Sequence, residues 1–189
     1  RKCFITNSSN AEVSVITART GEDAKGRPAF SAFILEKGTE GFSAGRDEDK
    51  VGLRGSHMGD LLMNNCRVGE EALLGGEGNG NRMALATISK IGRTGMAAIG
   101  VGILRACLED GVKFAKERII YGKPLARLQA IQMEIAQIRI DHDAAKLLTY
   151  HAIGLKEAGA GGDAEVAIAK YYATEGAVRA AKRTMDLMG

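Results

Sequence analysis

Apolar positions change their spacing partway along this chain. Up to about residue 77 they come in short runs separated by turn residues. Phe4-Ile5-Thr6 leads into Asn7-Ser8-Ser9-Asn10, residues 13–18 form the next run, and a polar loop at 21–28 leads to the run at 30–36. Leu61-Leu62-Met63 and Cys66-Arg67-Val68 are two more. Runs of this length, rich in β-branched and aromatic side chains, predict strands. Residues 1–77 therefore read as part of an antiparallel sheet or barrel.

From residue 78 the period lengthens. Ile88, Ile91, Ile99, Ile103, Leu108 and Val112 recur through 83–118 as in a long buried helix. Gly92, Gly95, Gly100 and Gly102 each cost about 1 kcal/mol of helix propensity, so they are expected where a neighbour packs closely. Pro124 suits the first turn of a second helix at 125–156, with Ile131, Ile135 and Ile138 on one face. A glycine-rich link at 159–162 precedes a third helix, with Asp163 read as its N-cap and Val166, Tyr172, Ala173 and Ala177 facing inward. Three long helices with short loops predict an antiparallel bundle over 78–189, with a face left for a fourth helix or a partner subunit. The fold class is α+β: part of a β-barrel domain, then an incomplete four-helix bundle.

Composition narrows the function classes. A chain 45% hydrophobic and 26% charged lies in the globular range, and with aromatics at 5% its core is aliphatic. The net charge of +3 is spread along the chain, which gives no nucleic-acid platform. Cys3, Cys66 and Cys107 contain no C-x-x-C pair, which argues against a disulfide framework or zinc site and for a reducing compartment. His57, His142 and His151 lack ligand spacing, so no metal is expected; His142, between Asp141 and Asp143, reads as part of a solvated helix face. No apolar run reaches about 18 residues, so no membrane span is expected. The chain opens on Arg1 inside a strand pattern and closes on Gly189 at the end of a helix pattern, and is expected to be a piece of a longer protein.

Several residues invite chemical readings. Phe4 and Thr6, at i and i+2 of a strand, share a face, as a core pair or as an aromatic and a hydroxyl beside a planar ligand. Arg118 offers a bidentate fork to a phosphate, or a surface ion pair to Glu117 or Asp110. Arg93, on an apolar stretch, needs a partner, either a carboxylate or a ligand. The run Gly75-Gly76-Glu77-Gly78-Asn79-Gly80 matches neither the dinucleotide fingerprint nor a P-loop, and reads as a flexible domain crossover.

Three stretches in order resemble the FAD-dependent acyl-CoA dehydrogenase family. Lys2-Cys3-Phe4-Ile5-Thr6-Asn7 is similar to its K-x-W-I-T-N strand. Lys50-Val51-Gly52-Leu53-Arg54-Gly55-Ser56 is followed by Leu74-Gly75-Gly76-Glu77-Gly78-Asn79-Gly80. Arg118-Ile119-Ile120-Tyr121-Gly122-Lys123-Pro124-Leu125, with Leu128-Gln129-Ala130-Ile131-Gln132, resembles R-x-x-F-G-x-P-[IL] and Q-x-x-Q.

The resemblance spans nearly the whole chain. It implies FAD, an acyl-CoA substrate, an electron-transferring flavoprotein as acceptor, a homotetramer built as a dimer of dimers, and a bacterial cytoplasmic or mitochondrial matrix location. It further implies that Phe4 and Thr6 face the flavin, with Phe in place of the family's Trp. Arg118, Tyr121 and Gln129 would hold the FAD of a neighbouring subunit, and Arg93 would lie by the substrate. The family's carboxylate base, drawn in a minority of members from the residue before Arg93, is here Gly92, so the base is expected beyond Gly189. An acyl-CoA oxidase of the same fold and a non-catalytic scaffold subunit are the alternatives.

Overall fold

The computed structural model describes all residues, Arg1–Gly189. It divides into two compact units, Arg1–Leu85 and Ala86–Gly189.

The first unit holds six strands: β1 (Lys2–Thr6), β2 (Val13–Glu22), β3 (Pro28–Glu36), β4 (Phe42–Asp47), β5 (Met58–Met63) and β6 (Leu73–Leu74). They form two antiparallel three-stranded sheets, ordered β1-β5-β4 and β2-β3-β6. Ile16 and Leu35 from one sheet meet Leu61 from the other, with Ile5, Phe33 and Phe42 packed around them. Strand β4 escaped the sequence pattern because Phe42-Ser43-Ala44-Gly45-Arg46-Asp47 has one strong strand former and a glycine. Gly45 is needed there, since a Cβ would lie 2.9 Å from that of Asp60. The run at 66–68, expected as a strand, is irregular.

The glycine run at 75–80 is tied down rather than free. Ser31, fully buried, receives the Gly78 amide at 2.9 Å and shares a 2.7 Å hydrogen bond with Thr20. A side chain at Gly80 would strike the Ser31 backbone at 2.6 Å.

Helical structure runs from Gly80 to Glu117 as α1 (Gly80–Thr87), a π-helical turn (Ile88–Gly92) and α2 (Arg93–Glu117). A two-strand hairpin follows, β7 (Ile119–Ile120) and β8 (Lys123–Pro124), then α3 (Gln129–Glu157) and α4 (Asp163–Met188). Pro124 therefore closes the hairpin rather than opening α3. Helices α2, α3 and α4 pack around Leu104, Ile138 and Val166 and a set of alanines, including Ala97, Ala145, Ala169, Ala173 and Ala180. Val166, Ala173 and Ala177 face inward as expected, with Tyr172 at the edge. Of the four glycines singled out in the α2 stretch, only Gly100 is in tight contact: a Cβ there would lie 2.7 Å from the Ala173 backbone.

Three local expectations are corrected. The isoleucines of α2 do not form its buried face. Ile99 and Ile103 are exposed, and the buried positions are Ala97, Gly100, Leu104, Gly111 and Ala115, because small residues permit the closest approach to α4. Asp163 is not the N-cap of α4; Gly162, at φ 86°, takes that position. Asp141 is not solvated: it is buried, accepts a 3.1 Å hydrogen bond from Tyr172 and lies 3.7 Å from Arg179.

The Gly80–Glu117 helix is also long and apolar enough to cross a bilayer, although no uninterrupted run of that length exists. Its α2 part packs along α3 and α4, and α3 carries Glu134, Arg139, Asp141, His142, Asp143 and Lys146 through its middle.

Candidate functional site

Strand β1 is irregular where the candidate residues lie. Its pairing with β5 shifts register between Lys2 and Ile5, and Phe4 sits at φ 57°. A bulge of this kind suspends simple two-residue alternation, so the expected shared face of Phe4 and Thr6 does not follow from spacing. What the structure shows is that Ile5 turns into the sheet core while Phe4 and Thr6 on either side of it are exposed. Phe4, at 67% exposure, is not a core residue. Thr6 lines a groove of about 310 Å³ with Ile5, Val13, Val15 and Leu61.

The second cluster lies at one end of the bundle. Arg118 ends α2, with its amide donating to Phe114 and its carbonyl accepting from Leu125. Between these bonds the β7–β8 hairpin turns through Tyr121 at φ 52° and Gly122 at φ 73°, the two left-handed residues that a two-residue hairpin requires. Tyr121 projects from the tip at 89% exposure. Leu125 plugs the base of the hairpin, packed with Ala115 and Leu187. Gln129 is the exposed first residue of α3, and the Gln132 amide donates to the Ala126 carbonyl at 2.8 Å, fixing the turn between them. The hairpin thus brings Arg118, Tyr121 and Gln129 to one end of the bundle. Phe4 and Thr6 belong to the other unit.

Arg118 makes no ion pair; neither Glu117 nor Asp110 holds it. The guanidinium fork is open to an anion. Phe4 and Tyr121 share a further property. A bulky side chain at positive φ costs about 1–3 kcal/mol and recurs where a site demands it. Five residues other than glycine have positive φ, and Phe4 and Tyr121 are the aromatic ones among them.

Arg93 is exposed and makes no close ion pair, but its charge acts on the Asp163 carboxylate and helps hold that group below its ordinary value. It directly follows the π turn, and its amide donates to the Ile88 carbonyl. Sequence periodicity gave no sign of this turn, which lies among the exposed residues Ile88 and Ile91.

Within the helical unit the donor set fits a dinucleotide: an unpaired guanidinium for phosphate, a terminal amide and an exposed aromatic at a hairpin tip. No group of His, Cys, Asp and Glu side chains is arranged to hold a metal ion.

Residues 1–66 match the acyl-CoA dehydrogenase middle domain and residues 78–189 the acyl-CoA dehydrogenase C-terminal domain. An acyl-CoA dehydrogenase of Bacillus subtilis is 40% identical over 188 residues, covering 100% of this chain and 49% of the relative. An acryloyl-CoA reductase (NADH) of Anaerotignum propionicum is 42% identical, covering 93% of this chain and 44% of the relative. The solved structure of butyryl-CoA dehydrogenase from Megasphaera elsdenii superimposes with a TM-score of 0.92 at 37% identity, over 100% of this chain and 49% of that one. The chain spans about half the length of these relatives. Two consecutive domain matches, on a β unit and a helical unit of the expected kinds, place this chain in the acyl-CoA dehydrogenase family.

Proposed function

We propose that the full-length protein is an FAD-dependent enzyme that removes the α- and β-hydrogens of an acyl-CoA thioester and passes the electrons to an electron-transferring flavoprotein. The observation that carries this reading is the unpaired Arg118 at the foot of the strained Tyr121-Gly122 turn, with Gln129 opening α3 just after the hairpin. Together they form a phosphate and amide clamp built on rigid elements. FAD, when bound, supplies the hydride acceptor.

The residues of this chain bind and orient. Arg118 and Gln129 hold the FAD of a neighbouring subunit in a homotetramer, with Tyr121 shielding the clamp from water. Phe4 covers the flavin ring as an apolar lid without the indole N–H of the family's Trp. The Thr6 hydroxyl donates to the flavin edge. Arg93, exposed and without a close ion pair, contacts the acyl-CoA. Gly92 leaves no carboxylate on the residue before Arg93, so the α-proton is assigned to a Glu outside these residues.

A second reading concerns direction. The acryloyl-CoA reductase relative favours the same residues working in an enoyl-CoA reductase, with electrons running to the substrate. Purified full-length protein tests both. Bleaching of bound-flavin absorbance by saturated acyl-CoA without oxygen supports the first. Reoxidation of reduced flavin by enoyl-CoA, with no bleaching by acyl-CoA, supports the second. Lack of any bound flavin contradicts both.

A further inference from the structure

The π turn at Ile88–Gly92 has its own fastening. A π turn takes one residue more per turn than the α-helix around it, so it rotates every later side chain about the helix axis and loosens the local carbonyl ladder. Here the loosening is met on two sides. Thr94 bonds back to the Lys90 carbonyl at 2.8 Å and the Ile91 carbonyl at 3.2 Å. On the other side, the Ser89 hydroxyl donates to Asp163 Oδ1 at 2.6 Å, and the Lys156 ammonium donates to the same oxygen at 2.5 Å.

These partners are distant in sequence. Asp163 opens α4, Lys156 lies in the last turn of α3, and the glycine-rich link runs between them. Most of the Lys156 side chain is covered, only 18% of it being exposed, so the ammonium is delivered to one place, while Asp163 itself is 73% exposed and also feels the charge of Arg93. The glycines of the link support the arrangement: Gly159, Gly161 and Gly162 all adopt positive φ, which lets the chain reverse tightly enough to bring Asp163 back toward Lys156.

We propose that Asp163 is a positioning residue: with Lys156 it holds Ser89, fixes the π turn, and thereby sets the direction in which Arg93 meets the acyl-CoA. The clamp rests on the structure alone; its consequence for substrate rests on the function proposed above. The clamp explains why a turn with a weakened backbone ladder persists in an otherwise regular helix. It also assigns a purpose to the α3–α4 link, which touches none of the candidate flavin residues.

The experiment uses full-length, flavin-loaded protein as parent, Asp163→Asn, Asp163→Glu, Ser89→Ala and Lys156→Ala. Hydrogen–deuterium exchange at the amides of residues 88–94 reads the clamp directly. Steady-state kinetics with an acyl-CoA substrate reads its consequence. Asp163→Asn and Ser89→Ala are expected to speed exchange at 88–94 and to raise KM about two- to fivefold with little change in kcat, the size expected for one solvent-exposed charged contact. Lys156→Ala should do so less, because Ser89 keeps its acceptor, and Asp163→Glu should restore part of the loss. Unchanged exchange in Asp163→Asn and Ser89→Ala would overturn the clamp. Faster exchange with unchanged KM would overturn the positioning role. A parent protein that binds flavin but turns over no acyl-CoA would refute the functional reading and its substrate consequence, while the exchange comparison still decides the clamp.

Discussion

Phe4 and Tyr121 are both aromatic, both exposed and both held at positive φ, yet they reach that state by different routes. Tyr121 sits in a two-residue turn between strands that pair with each other, Ile119 opposite Pro124 and Ile120 opposite Lys123. Its backbone is dictated locally, with Gly122 taking the second left-handed position. Phe4 lies where β1 slips in register against β5, more than 50 residues away in sequence. Its backbone is dictated by tertiary pairing. The hairpin depends on the bundle beneath it, and the bulge depends on a sheet edge. Damage to one support should therefore leave the other element's conformation intact.

The sharpest way to break that comparison is Gly100→Ala. The added methyl would meet the Ala173 backbone at 2.7 Å, so the α2–α4 seam must open. A loss of about 2–3 kcal/mol is expected from overpacking, measured by urea denaturation of the full-length protein. Gly154→Ala, which meets nothing within 4 Å, should instead gain up to about 1 kcal/mol. Equal effects would mean that the seam is not tight.

Next in size is Arg118→Ala. Losing the bidentate fork should weaken FAD retention by about tenfold or more, and Lys should restore only part of it. Equilibrium dialysis with FAD reads this directly.

Phe4→Asn and Tyr121→Asn form the third test. Asn accepts left-handed backbone more readily than an aromatic does. If function imposes the strain, both variants should match or exceed the parent in stability, by up to about 1 kcal/mol, while binding flavin less tightly. A fall in Tm for Phe4→Asn alone would show that its ring stabilises the sheet and that the two sites are not equivalent.

The smallest effect concerns acid. Hydrogen bonds from Lys156 and Ser89, with the charges of Lys156 and Arg93, hold the Asp163 carboxyl below its ordinary value. Its stabilisation is therefore complete above the ordinary carboxylate pKa of about 3.9 and is lost as pH falls through the lowered value. In Asp163→Asn, amide exchange at 88–94 should be fast throughout, without the parent's extra rise below about pH 4.

The helices were legible because a 3.6-residue period survives over 25 or more residues, and the inward positions of α4, Val166, Ala173 and Ala177, follow from it. The family resemblance singles out Arg118 and Gln129, and the structure shows Arg118 exposed without an ion pair and Gln129 exposed at the start of α3. What escaped depended on partners far along the chain. Asp141 looks solvated until Tyr172 and Arg179 arrive from α4. Asp163 looks like a cap until Lys156 and Ser89 claim its oxygen. The bulge at Phe4 exists only because β5 pairs beside it, and a π turn leaves no mark on periodicity when its residues are exposed.

The central claim is that Arg118 belongs to a cofactor clamp rather than to the bundle's surface charge. The most direct test is the visible spectrum of full-length protein after gel filtration, parent beside Arg118→Ala, with folding verified by Tm. The account predicts flavin absorbance stoichiometric with protein in the parent and largely lost from an equally folded variant. Equal flavin retention in the two, or a parent that neither carries flavin nor takes it up, would contradict it.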